Sequence, residues 1–318
     1  MSALFDLLLD SPAPPPVDTL AAWWTATTDR RARGATTIDR ALLGGVAADR
    51  LGFAFASGYA EALHALVPST RGRLTALCAT EDGGAHPRAI RTALVADGDG
   101  GYRLTGRKRW ATIASASSEL LVIASIGTDD AGRNRLRAVR VATDAPGVRL
   151  TATSAPFVPE IPHAEVELDQ VRVAATDVLP GDGYDVYLKP FRTIEDLHVH
   201  AALLGYLVGV TRRHGLDPSL TERALALAAA TRAAAAADTG APSAHLAAPA
   251  THLALAGLLA LVTDLVAAIE TAWAPLAGDE HARWQRDRPL LRVAGNARTA
   301  RRDHARAALL SPASHTRS

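Results

Sequence analysis

Cysteine is nearly absent from the sequence. Cys78 is the single cysteine among 318 residues, so a disulfide bond within the chain is excluded. Proteins of oxidising compartments commonly rely on disulfides, whereas cytoplasmic proteins keep their thiols reduced. The cysteine content therefore predicts a cytoplasmic protein.

An excess of charge of either sign is also lacking. The chain has 34 lysines and arginines against 33 aspartates and glutamates, which gives a net charge of +1. Proteins that bind nucleic acids or anionic membrane surfaces through charge need a strong basic field. We therefore expect neither kind of partner.

Long apolar runs are missing too. The longest, Leu253 to Val262, is shorter than the about 20 residues that a membrane-spanning helix needs. The N-terminal segment lacks a basic region before its apolar residues, so a signal peptide is not expected. Because 48% of the residues are hydrophobic and 21% are charged, the chain has enough apolar surface for a packed core.

The pattern along the chain predicts three domains and an α+β fold. Prolines within residues 1–20 predict an irregular arm. Helices are predicted from Val17 to Arg33 and from Ala41 to Leu66, the latter with apolar residues every four positions from Leu51 to Leu63, so residues 1–70 are predicted to form an N-terminal helical domain. Short alternating segments between Gly, Asp and Pro turns predict a central antiparallel β-barrel, or a sandwich, in residues 71–185. Residues 186–318 are rich in alanine and predict a C-terminal helical bundle.

The stretch from Ala76 to Thr112 contains two motifs of chemical interest. A short apolar strand ends in Thr80-Glu81 and enters the turn Asp82-Gly83-Gly84-Ala85-His86-Pro87. A second strand ends in Gly106-Arg107-Lys108-Arg109-Trp110-Ala111-Thr112. Strand alternation predicts that Trp110 and Thr112 lie on the same side. Such strand ends present hydroxyls, backbone N–H groups and one large ring, which suit a flat polar heterocycle.

These motifs resemble the acyl-CoA dehydrogenase family, whose members carry a Thr-Glu-x-Gly-x-Gly-Ser-Asp turn and a Gly-x-Lys-x-Trp-x-Thr strand. The resemblance extends over roughly residues 50–210. It implies an FAD cofactor and the α,β-dehydrogenation of an acyl thioester carried on CoA or on a carrier protein. It also implies an electron-transfer flavoprotein or another acceptor as partner, and a homodimer.

The resemblance further implies roles for particular residues. Trp110 would lie against the flavin ring, the Thr112 hydroxyl would face its N5 atom, and Thr80 would bind its pyrimidine edge. The remaining candidates are the backbone of Leu77 and Ala79 for the cofactor, and Ala85 and His86 for the substrate. The serine of the family turn is absent from Ala85-His86-Pro87, and whether His86 replaces it stays open.

The candidate catalytic base is Glu195. The Tyr-Glu-Gly-Thr-like segment that supplies the base in many members is missing, but other members place a glutamate on the first helix of the C-terminal domain, ten residues before a glycine. Glu195 and Gly205 match that spacing. Thr193 is the predicted N-cap, and Asp196 is predicted to raise the pKa of Glu195. A purely structural role of Glu195 at the helix start is the alternative.

Two other functions stay open. The missing base segment and serine favour a non-catalytic member that binds an acyl chain or a protein partner. A flavoenzyme of the same fold that acts on a non-thioester substrate is the second alternative. No metal site is predicted, because His198 and His200 are two residues apart and point in different directions on a helix.

Overall fold

The fold is described from a computed structural model, which covers residues 2–10, 13–236, 248–276 and 278–310. The chain divides into two units that we name by their content. The helical unit contains Met1–Pro15, Thr27–Gly58 and Asp196–Ser318. The sheet unit contains Pro16–Ala26 and Tyr59–Glu195.

Seven strands of the sheet unit form one curled sheet. They are β1 (Thr75–Cys78), β2 (Ala93–Ala96), β3 (Tyr102–Thr112), β4 (Glu119–Thr128), β5 (Asn134–Ala142), β6 (Val148–Thr153) and β7 (His163–Val173). Their order is β1-β4-β2-β3-β7-β6, with β5 also paired to β4. Since β1 and β6 end this path without pairing to each other, the sheet is a half-barrel rather than the closed barrel that the sequence predicts.

The strands are mostly antiparallel, as predicted. β3 pairs antiparallel with β2 and β7, and β4 pairs antiparallel with β5. In contrast, β1 and β2 run parallel to β4. The first six residues of β4 are buried, which is typical of a strand covered on both faces.

Five helices precede the sheet in the chain. They are α1 (Ser2–Leu9), α2 (Leu20–Ala26), α3 (Thr28–Ala32), α4 (Thr37–Val46) and α5 (Leu51–Leu66). The prediction of an irregular arm is wrong for α1, because Leu4 and Leu8 lie one turn apart and are both buried. The helical region predicted from Ala41 to Leu66 is divided by residues 47–50 into α4 and α5, and the helix predicted from Val17 to Arg33 is divided into α2 and α3.

After the sheet, residues 186–236, 248–276 and 278–310 contain five further helices. They are α6 (Lys189–Arg213), α7 (Pro218–Ala235), α8 (Pro249–Trp273), α9 (Asp279–Asp287) and α10 (Gly295–Leu310). The prediction that Thr193 caps α6 is wrong. Asp182 provides the cap instead, by accepting hydrogen bonds from the backbone N–H groups of Tyr184 at 2.8 Å and Asp185 at 3.0 Å. A π-helical turn, Gly183–Leu188, then leads into α6.

Two glycines allow α4 and α6 to cross closely within the helical unit. A Cβ atom at Gly205 would lie 2.1 Å from the Leu42 carbonyl oxygen, and one at Gly45 would lie 1.9 Å from that of Ala202. Real Cβ atoms do not approach so closely, so both positions require glycine. The glycine that marks the spacing from Glu195 in the sequence is therefore a packing residue.

Helix α8 is long and strongly apolar. Together with the 3₁₀ turn after it, the segment Pro249–Leu276 is long and apolar enough to cross a membrane by length and composition alone, and 28% of its apolar window is buried. The longest apolar run in the sequence ends at Val262, because Thr263 and Asp264 follow it. The helix continues through both of these residues. Its buried side chains follow one stripe, which packs against α7 and α10.

Candidate functional site

The eight candidate site residues from the sequence all lie in the sheet unit. The ends of β1 and β3 meet at one rim, where the backbone N–H of Arg109 donates to the Thr80 carbonyl oxygen at 2.8 Å. Trp110 is the next residue after Arg109, and Thr112 ends the strand. The two motifs are therefore neighbours in space, on the same wall of the sheet.

A β-bulge at the end of β3 determines where Trp110 points. Lys108 pairs with Val166 and Ala111 with Ala164, so two residues of β3 face one residue of β7. The bulge shifts the alternation, and Ala111 takes the buried face on which Lys108 lies. Trp110 consequently leaves its ring 57% exposed, with a left-handed φ of 56°.

The rim around Trp110 offers unused polar groups. Thr80 and Thr112 are half-buried. Within the described part of the chain their hydroxyls make no side-chain hydrogen bond. Ile113 also has a left-handed φ, 59°, so the strand end turns sharply after Thr112. Two hydroxyls beside an exposed indole suit a planar ligand with a polar edge.

Below the rim, the two motifs are joined by a buried ion pair. Lys108 is fully buried, and its Nζ donates to Glu81 Oε1 at 2.7 Å and to the Ile123 carbonyl oxygen at 2.6 Å. The Glu81 carboxylate also accepts from the backbone N–H of Arg91 at 2.7 Å, and from both the N–H and the hydroxyl of Thr92. Each buried charge thus has several hydrogen-bond partners.

Charge and burial act in opposite directions on this pair. Burial raises the pKa of Glu81, but the hydrogen bond and charge of Lys108 and the donors of Thr92 outweigh burial, so the pKa lies below its ordinary value. Burial lowers the pKa of Lys108, and Glu81 only partly opposes this. The pair holds the start of the turn after β1 against the strand that carries Trp110.

The turn that contains Ala85 and His86 is fixed at several points. Glu81 and Gly84 exchange two backbone hydrogen bonds of 3.0 and 2.8 Å, and Arg109 forms an ion pair with Asp82. His86 is exposed, and its Nδ1 accepts from the backbone N–H of Arg88 at 3.2 Å. Since Nδ1 accepts here, the proton of the neutral ring is on Nε2, which is left as a donor.

Tyr59 connects Glu195 with β1. The Tyr59 hydroxyl oxygen accepts from the backbone N–H of Leu77 at 2.9 Å, and its ring packs edge-on against Phe191 at 5.8 Å. Phe191 and the half-buried Glu195 are one turn apart on α6, so both project toward the same region. Burial, and after it the charge of Glu195, raises the pKa of Tyr59. The Leu77 N–H is thus already bonded, whereas Ala79 is buried next to Thr80.

Asp196 does not act on Glu195 as an uncompensated charge. Its carboxylate is bound by Arg298, with 2.9 Å between Arg298 Nε and Asp196 Oδ1, and by Arg301. The reason for expecting a raised pKa at Glu195 was an unpaired neighbouring carboxylate, and these two arginines neutralise it.

Comparison with known proteins agrees with this arrangement. Residues 76–171 match the family model described as "Acyl-CoA dehydrogenase, middle domain". The probable acyl-CoA dehydrogenase YngJ of Bacillus subtilis (strain 168) is 31% identical over 140 residues, which cover 43% of this chain and 35% of that protein. The alignment thus spans about a third of the curated relative.

Solved structures extend the likeness over nearly the whole chain. Butyryl-CoA dehydrogenase from Megasphaera elsdenii has a TM-score of 0.66 at 16% identity, covering 87% of this chain and 83% of its own. The prolyl acyl carrier protein oxidase AnaB has the same TM-score and identity, covering 97% of both chains. The family model and YngJ thus relate part of the chain to acyl-CoA dehydrogenases, and the solved structures show the same fold over nearly the whole chain. The α+β fold class with helical N- and C-terminal parts is thereby confirmed.

Within this acyl-CoA dehydrogenase fold, the sequence does not predict a role at the site for the motif residues Glu81 and Lys108, or for Tyr59 of α5. One indication was available: Lys108 is a charged residue four positions after Leu104, on the face of β3 that alternation turns toward the core. Tyr59 gave no comparable indication, since its place in an apolar stripe is typical of an ordinary core residue.

Close packing against Thr92 requires a glycine at position 106 of the second motif. A Cβ atom at Gly106 would lie 2.5 Å from Thr92 Oγ1 and 2.6 Å from Thr92 Cα, and its φ is 158°. We expect Gly106→Ala to displace Thr92 from Glu81 and to lower the free energy of unfolding by about 1–3 kcal/mol.

Urea denaturation would measure that loss. Gly257→Ala is the control, because a Cβ at this glycine of α8 meets open space. It should leave stability unchanged or raise it by up to about 1 kcal/mol. An equal response of the two variants would contradict the close approach of β2 and β3 at Gly106.

Proposed function

We propose that this chain is a cytoplasmic FAD-dependent oxidoreductase that dehydrogenates an acyl thioester between Cα and Cβ. The observation that carries the proposal is the junction of the two motifs, at which Arg109 N–H binds the Thr80 carbonyl oxygen and Trp110 projects from a bulge. The family assignment and the fold support the class of reaction.

The rim residues fit a flavin. The exposed face of Trp110 would cover the ring, and the free hydroxyls of Thr80 and Thr112 would bind its polar atoms. Because Tyr59 occupies the Leu77 N–H, the backbone contribution would come from Ala79 and Thr80. When bound, the flavin supplies the acceptor for the hydride of Cβ.

Glu195 would take the proton from Cα onto its carboxylate. It is half-buried and lies beside the buried Tyr59, so a substrate there would be shielded from water on that side. Tyr59 would position Glu195 relative to β1, because the Tyr59 hydroxyl accepts a hydrogen bond from the Leu77 N–H. In the turn, the Nε2–H of His86 would donate to the substrate in place of the missing serine, with Ala85 beside it.

The remaining assignments follow from the same family. We propose CoA or a carrier protein as the carrier of the acyl group, an electron-transfer flavoprotein or another acceptor for the electrons, and a homodimer. AnaB, which matches over 97% of both chains, is an oxidase of a prolyl group on a carrier protein. This favours a carrier-bound substrate with oxygen as acceptor as the second candidate, which oxygen consumption during turnover would identify.

Binding of FAD tests the proposal. The purified protein should bind FAD at close to one per chain, and Trp110→Ala should weaken that binding by at least about tenfold, since stacking on an aromatic ring is lost. Trp110→Phe retains a ring and is the control, with an expected loss of less than about threefold.

The outcomes separate the alternatives. Since Trp110 is 57% exposed, Trp110→Ala should leave the melting temperature unchanged, so a loss of FAD cannot be ascribed to unfolding. A colourless protein that does not take up FAD would contradict the flavin site and support a non-catalytic binding protein. Reduction of the flavin by non-thioester substrates alone would support the other alternative.

A further inference from the structure

The helical unit contains a half-open groove of about 760 Å³ between α8 and α10. Its volume lies within the range of small-molecule sites, about 300–1,000 Å³. All of its lining residues belong to the helical unit, so it is distinct from the rim around Trp110.

One wall of the groove is aliphatic. Ala256, Leu259, Ala260, Val266 and Ala267 of α8 recur at helical spacing and line it. From residue 256 to residue 267 the helix axis rises by about 16 Å. A stripe of this length, without a covering helix among the described residues, suits an extended hydrocarbon chain.

The opposite side is basic. Four arginines line it, and Glu270 is the one acidic residue in the lining. Arg288 lies 3.3 Å from Glu270, Arg298 is held by Asp196, and Arg302 Nε lies 3.1 Å from Asp303 Oδ1, so these three guanidinium groups are partly neutralised. The side chain of Arg292 is exposed and makes no hydrogen bond or ion pair with any residue that the structure describes.

Among the described lining residues, the positive charge of the groove comes from arginine. His200 also lines it, but burial lowers the pKa of His200 to about 4, so its ring is neutral at pH 7. Guanidinium groups bind carboxylates and phosphates through paired hydrogen bonds.

From the aliphatic wall and the arginines facing it, we infer that this groove binds a single anionic amphiphile with an unbranched hydrocarbon chain. The chain lies along α8, and the carboxylate or phosphate head binds Arg292, with Arg302, which Asp303 partly neutralises, as a weaker second cation. The charge complementarity selects an anion over a neutral amphiphile.

Calorimetric titration with dodecyl phosphate, laurate and neutral dodecyl maltoside, each below its micelle concentration, tests this. The two anions should bind the wild-type protein and the maltoside should not, and the tighter anion identifies the head group. Arg292→Gln should weaken anion binding by at least about tenfold. Arg306→Gln, a change of an exposed arginine of α10 outside the groove, should alter it by less than about twofold.

A change in the aliphatic wall provides an independent test. Val266→Glu should abolish binding of both anions while the circular dichroism spectrum stays unchanged, because Val266 is only half-buried. Equal binding of the maltoside, or unchanged affinity in Arg292→Gln, would overturn the inference. It would also be overturned if the wild-type protein bound no probe and Val266→Glu converted a dimer to a monomer, since a second copy would then occupy the groove. None of these titrations requires bound flavin, so their outcome does not depend on whether the proposed reaction is correct.

Discussion

Glu195→Gln should slow the reduction of protein-bound FAD by an acyl thioester by about 10²–10⁴-fold. The substitution keeps the size and most of the hydrogen bonding of the side chain but removes the group that accepts the Cα proton. Affinity for FAD should stay within twofold of the wild-type value, because the flavin contacts are assigned to Thr80, Trp110 and Thr112. Stopped-flow recording of flavin bleaching without oxygen measures the rate.

A matched control exists close by in the chain. Asp185→Asn also neutralises one carboxylate shortly before α6, but Asp185 is exposed, and among the described residues its carboxylate pairs only with Lys189, at 3.9 Å. It should reduce flavin at the wild-type rate. Equal rates in Glu195→Gln and the wild type would remove Glu195 from the mechanism and leave it a structural role within α6.

The second large effect is expected from Lys108→Met, which should lower the free energy of unfolding by about 3–5 kcal/mol at pH 7. The cause is not the loss of the pair itself but the carboxylate of Glu81, which is left buried without its cation. Loss of this anchor should also weaken FAD binding, because the pair fixes the turn after β1 relative to β3. Urea denaturation of both proteins gives the difference.

The pH dependence of that difference has a definite sign. The folded-state pKa of Glu81 lies below its ordinary value of 4.5. Its contribution to stability is therefore complete above pH 4.5 and disappears as pH falls through the folded-state value. The difference in free energy of unfolding between the wild type and Lys108→Met should consequently shrink as pH falls below about 4.5. Arg133→Met, which removes an exposed partner of Asp129, should show no measurable deficit at pH 7, and a similar loss in both variants would contradict the buried pair.

The sequence predicts where the strand of the second motif ends, but not the geometry inside it. That strand ends at Thr112 in the structure, as predicted, and it begins at Tyr102, after the glycine turn that precedes it. The bulge near its end was not predictable. Arg109 and Trp110 are not residues that indicate a bulge, and a tryptophan with φ of 56° runs against its own conformational preference. Only the pairing with β7 reveals it.

The start of α6 shows a second limit. Thr193 and Asp182 are both good capping residues, and local preference does not decide between them. The structure selects Asp182 because Tyr187, Leu188 and Phe191 are buried when the turn and helix begin early. Burial against distant segments is a property of the folded chain. For the same reason the Lys108–Glu81 pair, separated by 27 residues, could be located only by the three-dimensional structure.

The exposure of Trp110 also makes the native protein its own optical reporter. The other four tryptophans, Trp23, Trp24, Trp273 and Trp284, are at most 8% exposed, whereas Trp110 is 57% exposed. Dissolved quenchers such as iodide reach an exposed tryptophan far more readily than a buried one, so they quench its fluorescence more strongly. The quenchable part of the intrinsic fluorescence therefore reports on one position at the end of β3, and occupancy of that spot can be followed without a dye or an engineered label.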